Sequence, residues 1–546
     1  MLLSGAAASP ATARTLVRPP LGSALSGYVA ARAASLTGDH GEAARRYVAL
    51  LALDPGNAML ARDAISENIR AGMPEQALRL AAQRPLASLG ADARLLLVTD
   101  ALKRGDGARA LELLRYKDGE IELGFLAPLI GAWQQAERGD AGAIQTLAAV
   151  PPASAAAPLL AEHRALILLK LGRGGEADPF ARRAIAAGGG REDRVRLAMA
   201  QGFARLRDQP RAQEMLGGND QLLARARAQL ASGRLDSVAV HTSARGFAQI
   251  LAALSLALNG GESRSLALSL AQLARFADPA DGELPVLTGL LLDADGQTDA
   301  ALAAFRAVPA SDLFASEARD AAVRSLIRSD RTREALALAD PAARARDASA
   351  DDWSRLGDVY AAMNRNGDAA GAYGRAVALV AAGGPGPAEW QLRLLQGSSL
   401  DQAGQWPAGR ATLEQALRQS PDQPLLLNYL GYAKLEKGEQ LEEAESLIRR
   451  ASTLAPQDAS ITDSLGWMQF KRGRVNEAIA TLEKAAAADP SQSEIREHLG
   501  DALFTAGRRY EARYAWAAAL VTAESKDAGR IRAKLDAGLT GATVAP

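Results

Sequence analysis

The stretch DSLGWMQFKRGRVNEAIATLEKAAAADP at residues 463–490 puts a carboxylate, an indole and a basic turn within a short span. A carboxylate beside a cation can move protons or hold a charged substrate. Histidine is the next group to weigh, and there are four: His40, His163, His241 and His498. No two lie within one helical turn. Cysteine is absent, which removes the usual zinc spacings, thiolate nucleophiles, disulfides and cysteine lipidation. The G-x-S-x-G, H-E-x-x-H, Walker and G-x-G-x-x-G patterns do not occur. Acidic pairs such as Glu442-Glu443 read as solvated helix surface, and the four histidines as satisfied or exposed helix residues. The expectation is a chain with no catalytic residue, no metal site and no cofactor.

The elements that carry these residues read as helices. Hydrophobic residues make up 48% and aromatics 4% of the 546 residues, a balance that suits helices packed through small side chains better than sheets. Lys+Arg and Asp+Glu both count 63, so no global field draws the chain to nucleic acid or anionic lipid. No apolar run reaches the roughly 20 residues of a spanning helix. The length is too great for one compact core and implies several domains or a repeat array.

Repetition settles that choice. Leu465-Gly466 is followed by Ala478, Leu482, Ala485 and Pro490, and the pattern returns as Leu499-Gly500, Ala512, Trp516 and Ala519. Upstream it is Leu430-Gly431, Ala444, Ile448, Ala451 and Pro456. Ala444, Ala478 and Ala512 stand 34 residues apart, as do Ala301, Ala335 and Ala369. Ala43 and Ala77 keep the interval, and Ala110, Ala143 and Ala177 follow at 33 or 34. Glycine and alanine let two helices approach, large residues such as Trp353 and Tyr373 fill the gap between them, and proline ends the second helix. Each pair leaves an apolar face that only a neighbouring pair can bury.

This 34-residue pattern resembles the tetratricopeptide repeat, with its W-x2-L-G-x2-Y…A-x3-F…P signature. Trp353, Leu356, Gly357, Tyr360, Ala369, Tyr373 and Ala376 make the fullest match. The resemblance implies an all-α, right-handed superhelical solenoid of about fifteen helix-turn-helix units. The expected division is a tail or remnant signal at 1–20 and degenerate repeats at 21–282. Further repeats follow at 283–382, a Gly/Pro insertion at 383–387, clear repeats at 388–523 and a capping helix or tail at 524–546. Between 216 and 282 the register blurs. GGGRED at 188–193 and AAGGPGP at 381–387 are candidate breaks, the second expected to bend or interrupt the superhelix.

Five of six tryptophans and six of nine tyrosines fall in the last 200 residues. The family likeness implies that the inner surface is lined by the fifth, ninth and twelfth positions of each first helix. Those are Asn428 and Tyr432; Asp463, Trp467 and Phe470; and Glu497, Asp501 and Phe504. Such a stripe of amides, carboxylates and rings suits an extended peptide. The competing reading packs Trp467, Phe470 and Phe504 between repeats; Tyr432 and Trp467 are expected to be exposed, while Phe470 and Phe504 stand open. The carboxylates are expected to repel an acidic carboxyl-terminal ligand of the kind bound by basic clamps.

NYLGY, DSLGW and EHLGDALFTAGRRYEARYAWAAAL are similar to the C-terminal repeats of large tetratricopeptide lipoproteins and periplasmic proteins of Gram-negative bacteria. Some of that group hold a carboxyl-terminal processing protease and its substrates at the outer membrane. The resemblance implies a non-catalytic scaffold or adaptor with protein or peptide partners, periplasmic or outer-membrane-associated. The chain departs from that group in having no cysteine for a lipid anchor. At the N-terminus, Ala11-Thr12-Ala13 has the small-x-small form of a signal cleavage site. An export signal and an ordinary tail both fit it, so a cytoplasmic assembly or regulatory module stays the alternative. Residues 21–282 are expected to serve as a docking surface or a spacer.

Overall fold

The computed structural model describes residues 24–115, 123–218, 220–235, 242–259, 263–383 and 388–545. Among the described residues there are thirty α-helices and no strand, so the chain is an all-α solenoid of antiparallel helix pairs. It divides into two compact units, Met1–Asp330 and Arg331–Pro546. The division falls inside the array that the sequence reads as continuous from 283 to 382.

One contact recurs through both units. The signature glycine of a first helix faces a large side chain of the second helix sixteen positions later. A Cβ at Gly289 would stand 2.3 Å from the Phe305 ring, and one at Gly357 would stand 2.6 Å from Tyr373. At Gly397, Gly466 and Gly500 the obstacles are Leu413, Leu482 and Trp516, at 2.6, 2.6 and 2.4 Å. No side chain fits there, so glycine is required by close approach. Gly431 meets Ile448 instead, one position further on, at 2.8 Å. The extra residue sits in the turn, where Gln440 adopts a left-handed conformation (φ 48°). The periodic alanines occupy the other side of the same seam: Ala43, Ala77, Ala110, Ala143, Ala177, Ala301, Ala335, Ala369, Ala444, Ala478 and Ala512 are all fully buried.

In the first unit the region of blurred register is a change of topology. The helices Ser243–Ala257 and Arg264–Ala277 fold back against Ala58–Arg70, Ala91–Lys103 and Ala127–Glu137. Polar contacts stitch this returning layer to the ends of the earlier helices. Gln272 Nε2 donates to Arg70 O at 3.0 Å, Lys103 Nζ to Phe276 O at 2.7 Å and Gln297 Nε2 to Thr37 O at 2.6 Å. The Ser243 N–H donates to Glu137 Oε1 at 2.8 Å, and Gly246 lies against Trp133 so closely that a Cβ would meet its indole at 2.6 Å. Arg194 reaches Asp281 at 2.6 Å and also pairs with Glu283. The inward faces of these early helices are therefore packed by the chain itself. Where the layer meets Ala58–Arg70, Ala91–Lys103 and Ala127–Glu137 those faces are covered; both expectations for 21–282, docking surface and spacer, stand for the remaining surface.

The two candidate breaks do not interrupt the stack. At 188–193 a short 3-10 turn, Gly189–Arg191, leads into the next helix, and Arg191 pairs with Glu162 at 3.0 Å. Residues 384–387 of the Gly/Pro insertion lie outside the described residues, but the flanking helices Asn366–Ala381 and Glu389–Gln402 pack directly on each other. Leu392 is fully buried there in one cluster with Ala376 and Val377, so the insertion is accommodated beside an unbroken seam. Residues 1–20, read as a tail or signal, also lie outside the described residues.

Two outcomes follow for stability. Gly466→Ala forces a Cβ into Leu482 and is expected to destabilise by about 1–3 kcal/mol. Gly371→Ala, on a helix with nothing within 4 Å of the new Cβ, is expected to stabilise by roughly 0.5–1 kcal/mol. Denaturant unfolding distinguishes them, and equal effects would contradict the interlock. Arg194→Met leaves the half-buried Asp281 and Glu283 without their cation, although Asp281 keeps Gln249, and is expected to cost about 1–3 kcal/mol; a loss below about 0.5 kcal/mol would mean that this junction is not held there.

Candidate functional site

The predicted stripe lies on three of the first helices of the second unit, Pro424–Glu436, Ala459–Lys471 and Ser493–Thr505. The helix Ser525–Ala537 packs after them and buries Ile531 against Trp516 and Ala519. Asp458 opens the middle helix, its side chain accepting the Ile461 N–H at 2.9 Å, which satisfies one of the donors a helix start leaves free. Gly473, at φ +76°, turns the chain into the second helix.

Trp467 is fully buried, which corrects the expectation of an exposed ring. Its indole is sandwiched in a stack, with Phe470 at 4.8 Å and His498 at 4.0 Å between ring centroids, the planes within 17° and 10°. Its Nε1 donates to Glu436 Oε1 at 3.0 Å, so the polar edge is satisfied as well. Phe470 is half-buried and packs against clusters on both sides of it, which makes it a residue between repeats as much as a groove residue.

The three carboxylates are likewise committed internally. Asp463 is buried and accepts from His498 Nδ1 at 2.9 Å. Burial acts to neutralise His498, but the Asp463 carboxylate outweighs it and holds the imidazole above its ordinary pKa. Glu497 takes Arg530 Nε at 2.8 Å and Lys534 Nζ at 2.6 Å. Burial pushes Glu497 up, yet those hydrogen bonds prevail and keep it below the ordinary carboxylate range. Asp501 accepts from Lys534 Nζ at 2.7 Å and from Trp516 Nε1 at 2.9 Å; burial dominates and raises its pKa. The expected acidic stripe is thus compensated by His498, Arg530 and Lys534, and the repulsion of an acidic ligand that it implied loses its basis.

Asp501 also has a structural counterpart. Asp358, the residue after Gly357, accepts from Tyr373 Oη at 2.8 Å, just as Asp501, after Gly500, accepts from Trp516. The aspartate fixes the polar tip of the ring that fills the glycine notch. The recurring Leu-Gly-Asp with an aromatic residue fifteen positions on was a readable signal for this. Phe504 is half-buried, its centroid 5.5 Å from that of Trp516.

The other two of the eight, Asn428 and Tyr432, lie on the helix Pro424–Glu436. Asn428 is half-buried, and its Oδ1 is enclosed with no hydrogen-bond partner among the described residues. Tyr432 is half-buried beside Trp467 and Met468, its hydroxyl 3.5 Å from Glu494 Oε1. Burial raises the Tyr432 phenol, and the Glu494 charge adds to the effect. Burial likewise raises Glu494, although His498 opposes it. Sequence reasoning missed His498, Arg530 and Lys534, because each acts on a carboxylate 33 to 37 residues away. Among the other histidines, His40 pairs with Glu67 at 2.7 Å, and His163 accepts from Trp133 Nε1 at 3.1 Å and is depressed by burial to about 4. His241 lies outside the described residues.

The tetratricopeptide-repeat family profile matches residues 394–459 and 465–528. Over 95 residues the chain is 34% identical to the TPR repeat-containing protein PA4667 of Pseudomonas aeruginosa, a stretch that is 17% of this chain and 16% of that protein. Among solved structures, the chain is similar to yeast Tom70 (12% identity, TM-score 0.40, covering 94% of this chain and 95% of that one). It is also similar to the APC/C Cut9–Hcn1 assembly (14% identity, TM-score 0.38, covering 95% and 97%). The glycine interlock, the 34-residue alanine period and the matched profile agree: residues 394–459 and 465–528 are tetratricopeptide repeats.

Proposed function

We propose that this protein is a non-catalytic adaptor that binds partner polypeptides on the inner side of its C-terminal repeats and works in the bacterial cell envelope. The observation that carries the reading is the pairing of Asn428 and Tyr432 on that side. Asn428 is half-buried, and its side-chain amide can both donate to and accept from a polypeptide backbone. A half-buried tyrosine next to it offers contact area at low entropic cost. The commitment of Asp463, Glu497 and Asp501 to internal cations supports binding over catalysis, because none is free to carry a proton to a substrate. In the first unit the corresponding faces are filled by the returning helices, which favours the second unit as the binding part.

The envelope assignment rests on the likeness of NYLGY, DSLGW and EHLGD to periplasmic and lipoprotein repeats, and on Ala11-Thr12-Ala13. A partner that is a processing protease, or the substrate of one, fits the same likeness.

Affinity capture followed by identification of the bound proteins tests the binding face. Asn428→Ala combined with Tyr432→Ala is expected to reduce recovery of specific partners at least about tenfold, the scale of a lost interface anchor, while helical circular dichroism stays unchanged. Unaltered recovery would overturn the site. Fractionation with N-terminal sequencing tests the address: a mature chain beginning at Arg14 in the envelope is expected, and an intact Met1 in the cytoplasm contradicts it.

A further inference from the structure

Residues 538–545 follow the helix Ser525–Ala537 and lie on the inner side of the same repeats. Gly538 rests on Phe504 so closely that a Cβ would stand 2.7 Å from the ring. Leu539 packs on the cluster of Trp516 and Ile531. Thr540 and Thr543 close a turn, in which the Thr543 and Val544 N–H groups donate to Thr540 O at 2.9 and 3.1 Å. Val544 and Ala545 then enter an apolar pocket formed by Leu435, Ile448, Trp467 and Met468, where Ala545 is buried. The Ala545 N–H donates to Asp501 Oδ2 at 2.9 Å.

These are the contacts of a peptide ligand: adjacent small side chains in a pocket, and a main-chain donor on a buried carboxylate. They involve the first helices Pro424–Glu436, Ala459–Lys471 and Ser493–Thr505 but belong to no helix pair. We propose that the Trp467 pocket is a peptide site for segments carrying two adjacent small aliphatic residues, and that 538–545 is its resident, displaceable occupant. The proposal rests on the adaptor reading and deepens it by assigning the ligand's chemistry. A charged residue at the Ala545 position is excluded, because it would be buried among Leu435, Ile448 and Met468, and one at the half-buried Val544 is disfavoured by the same apolar walls. A larger side chain is excluded by the fit around Ala545. The acceptor on Asp501 selects for a main-chain N–H and leaves the rest of the ligand sequence open.

A tethered occupant competes at an effective concentration in the millimolar range. Apparent affinity for an outside peptide then falls in proportion to the open fraction. The test compares the full-length protein with its Val544→Asp, Ala545→Asp double variant, using fluorescein-labelled Leu-Thr-Gly-Ala-Thr-Val-Ala-Pro in anisotropy titrations. The control peptide carries Asp in place of Val and the last Ala. The variant is expected to bind the first peptide about tenfold or more tighter than the wild type, to ignore the control, and to melt within a few degrees of the wild type. Equal binding by both proteins, or binding of the control, overturns the proposal. So does a variant that melts far lower and binds neither peptide, which would make 538–545 a fixed structural cap. Partner capture with the Asn428→Ala, Tyr432→Ala protein separates the two readings. If capture depends on those residues while the peptide titration fails, only the resident-occupant proposal falls; if the titration succeeds and capture is indifferent, the adaptor reading falls.

Discussion

The close approach of two helices at a single glycine is the constraint on which the rest of the structure depends. It brings Gly357 under Tyr373, Gly466 under Leu482 and Gly500 under Trp516, and every other feature of a repeat is set around that notch. The buried alanine at the start of the second helix keeps the pair close, and the aspartate after the glycine holds the ring's polar tip. A stack of such pairs has no interior of its own beyond these seams, so each unit is stable only through its neighbours. The helix Ser525–Ala537 supplies that neighbour for the last pair, burying Ile531 and bringing Arg530 and Lys534 to the carboxylates of the preceding repeat.

The inner faces show two solutions to one electrostatic problem. First helices carry polar residues on the side that faces inward, and once that side is covered those groups need partners. In the first unit the cover is the returning layer, and Arg194 meets Asp281 and Glu283 across it. In the second unit Glu497 and Asp501 are met by Lys534, Asp463 by His498, and part of the remaining surface by Val544 and Ala545. The aromatic stack of Phe470, Trp467 and His498 extends this second solution, laying an imidazole with a raised pKa flat against an indole face.

The fold was legible because the repeat writes a local rule many times over. Ala444, Ala478 and Ala512 announced the period, and the glycines announced the seam. The site was less legible, since position along a helix says which side a residue faces and not what meets it there. Trp467 stands at a groove position and is buried because a ring 31 residues on stacks against it. Asp501 reads as a ligand group, and Asp358 in the same place shows the scaffold role that it has as well, one oxygen holding the polar tip of Trp516. The returning layer joins residues as far apart as Arg70 and Gln272, a separation that no local pattern encodes. One trace of it was present: Ser243–Ala257 is apolar on nearly all faces, as a helix enclosed on every side must be.

The ligand face proposed for the C-terminal repeats is held in the resting molecule by residues 538–545. Amide hydrogen exchange of this segment in the full-length protein measures that directly. The Ala545 amide, donated to Asp501, is expected to exchange at least about tenfold more slowly than in the free peptide, and to lose that protection when a partner occupies the face. Exchange at the free-peptide rate in the resting protein would contradict it.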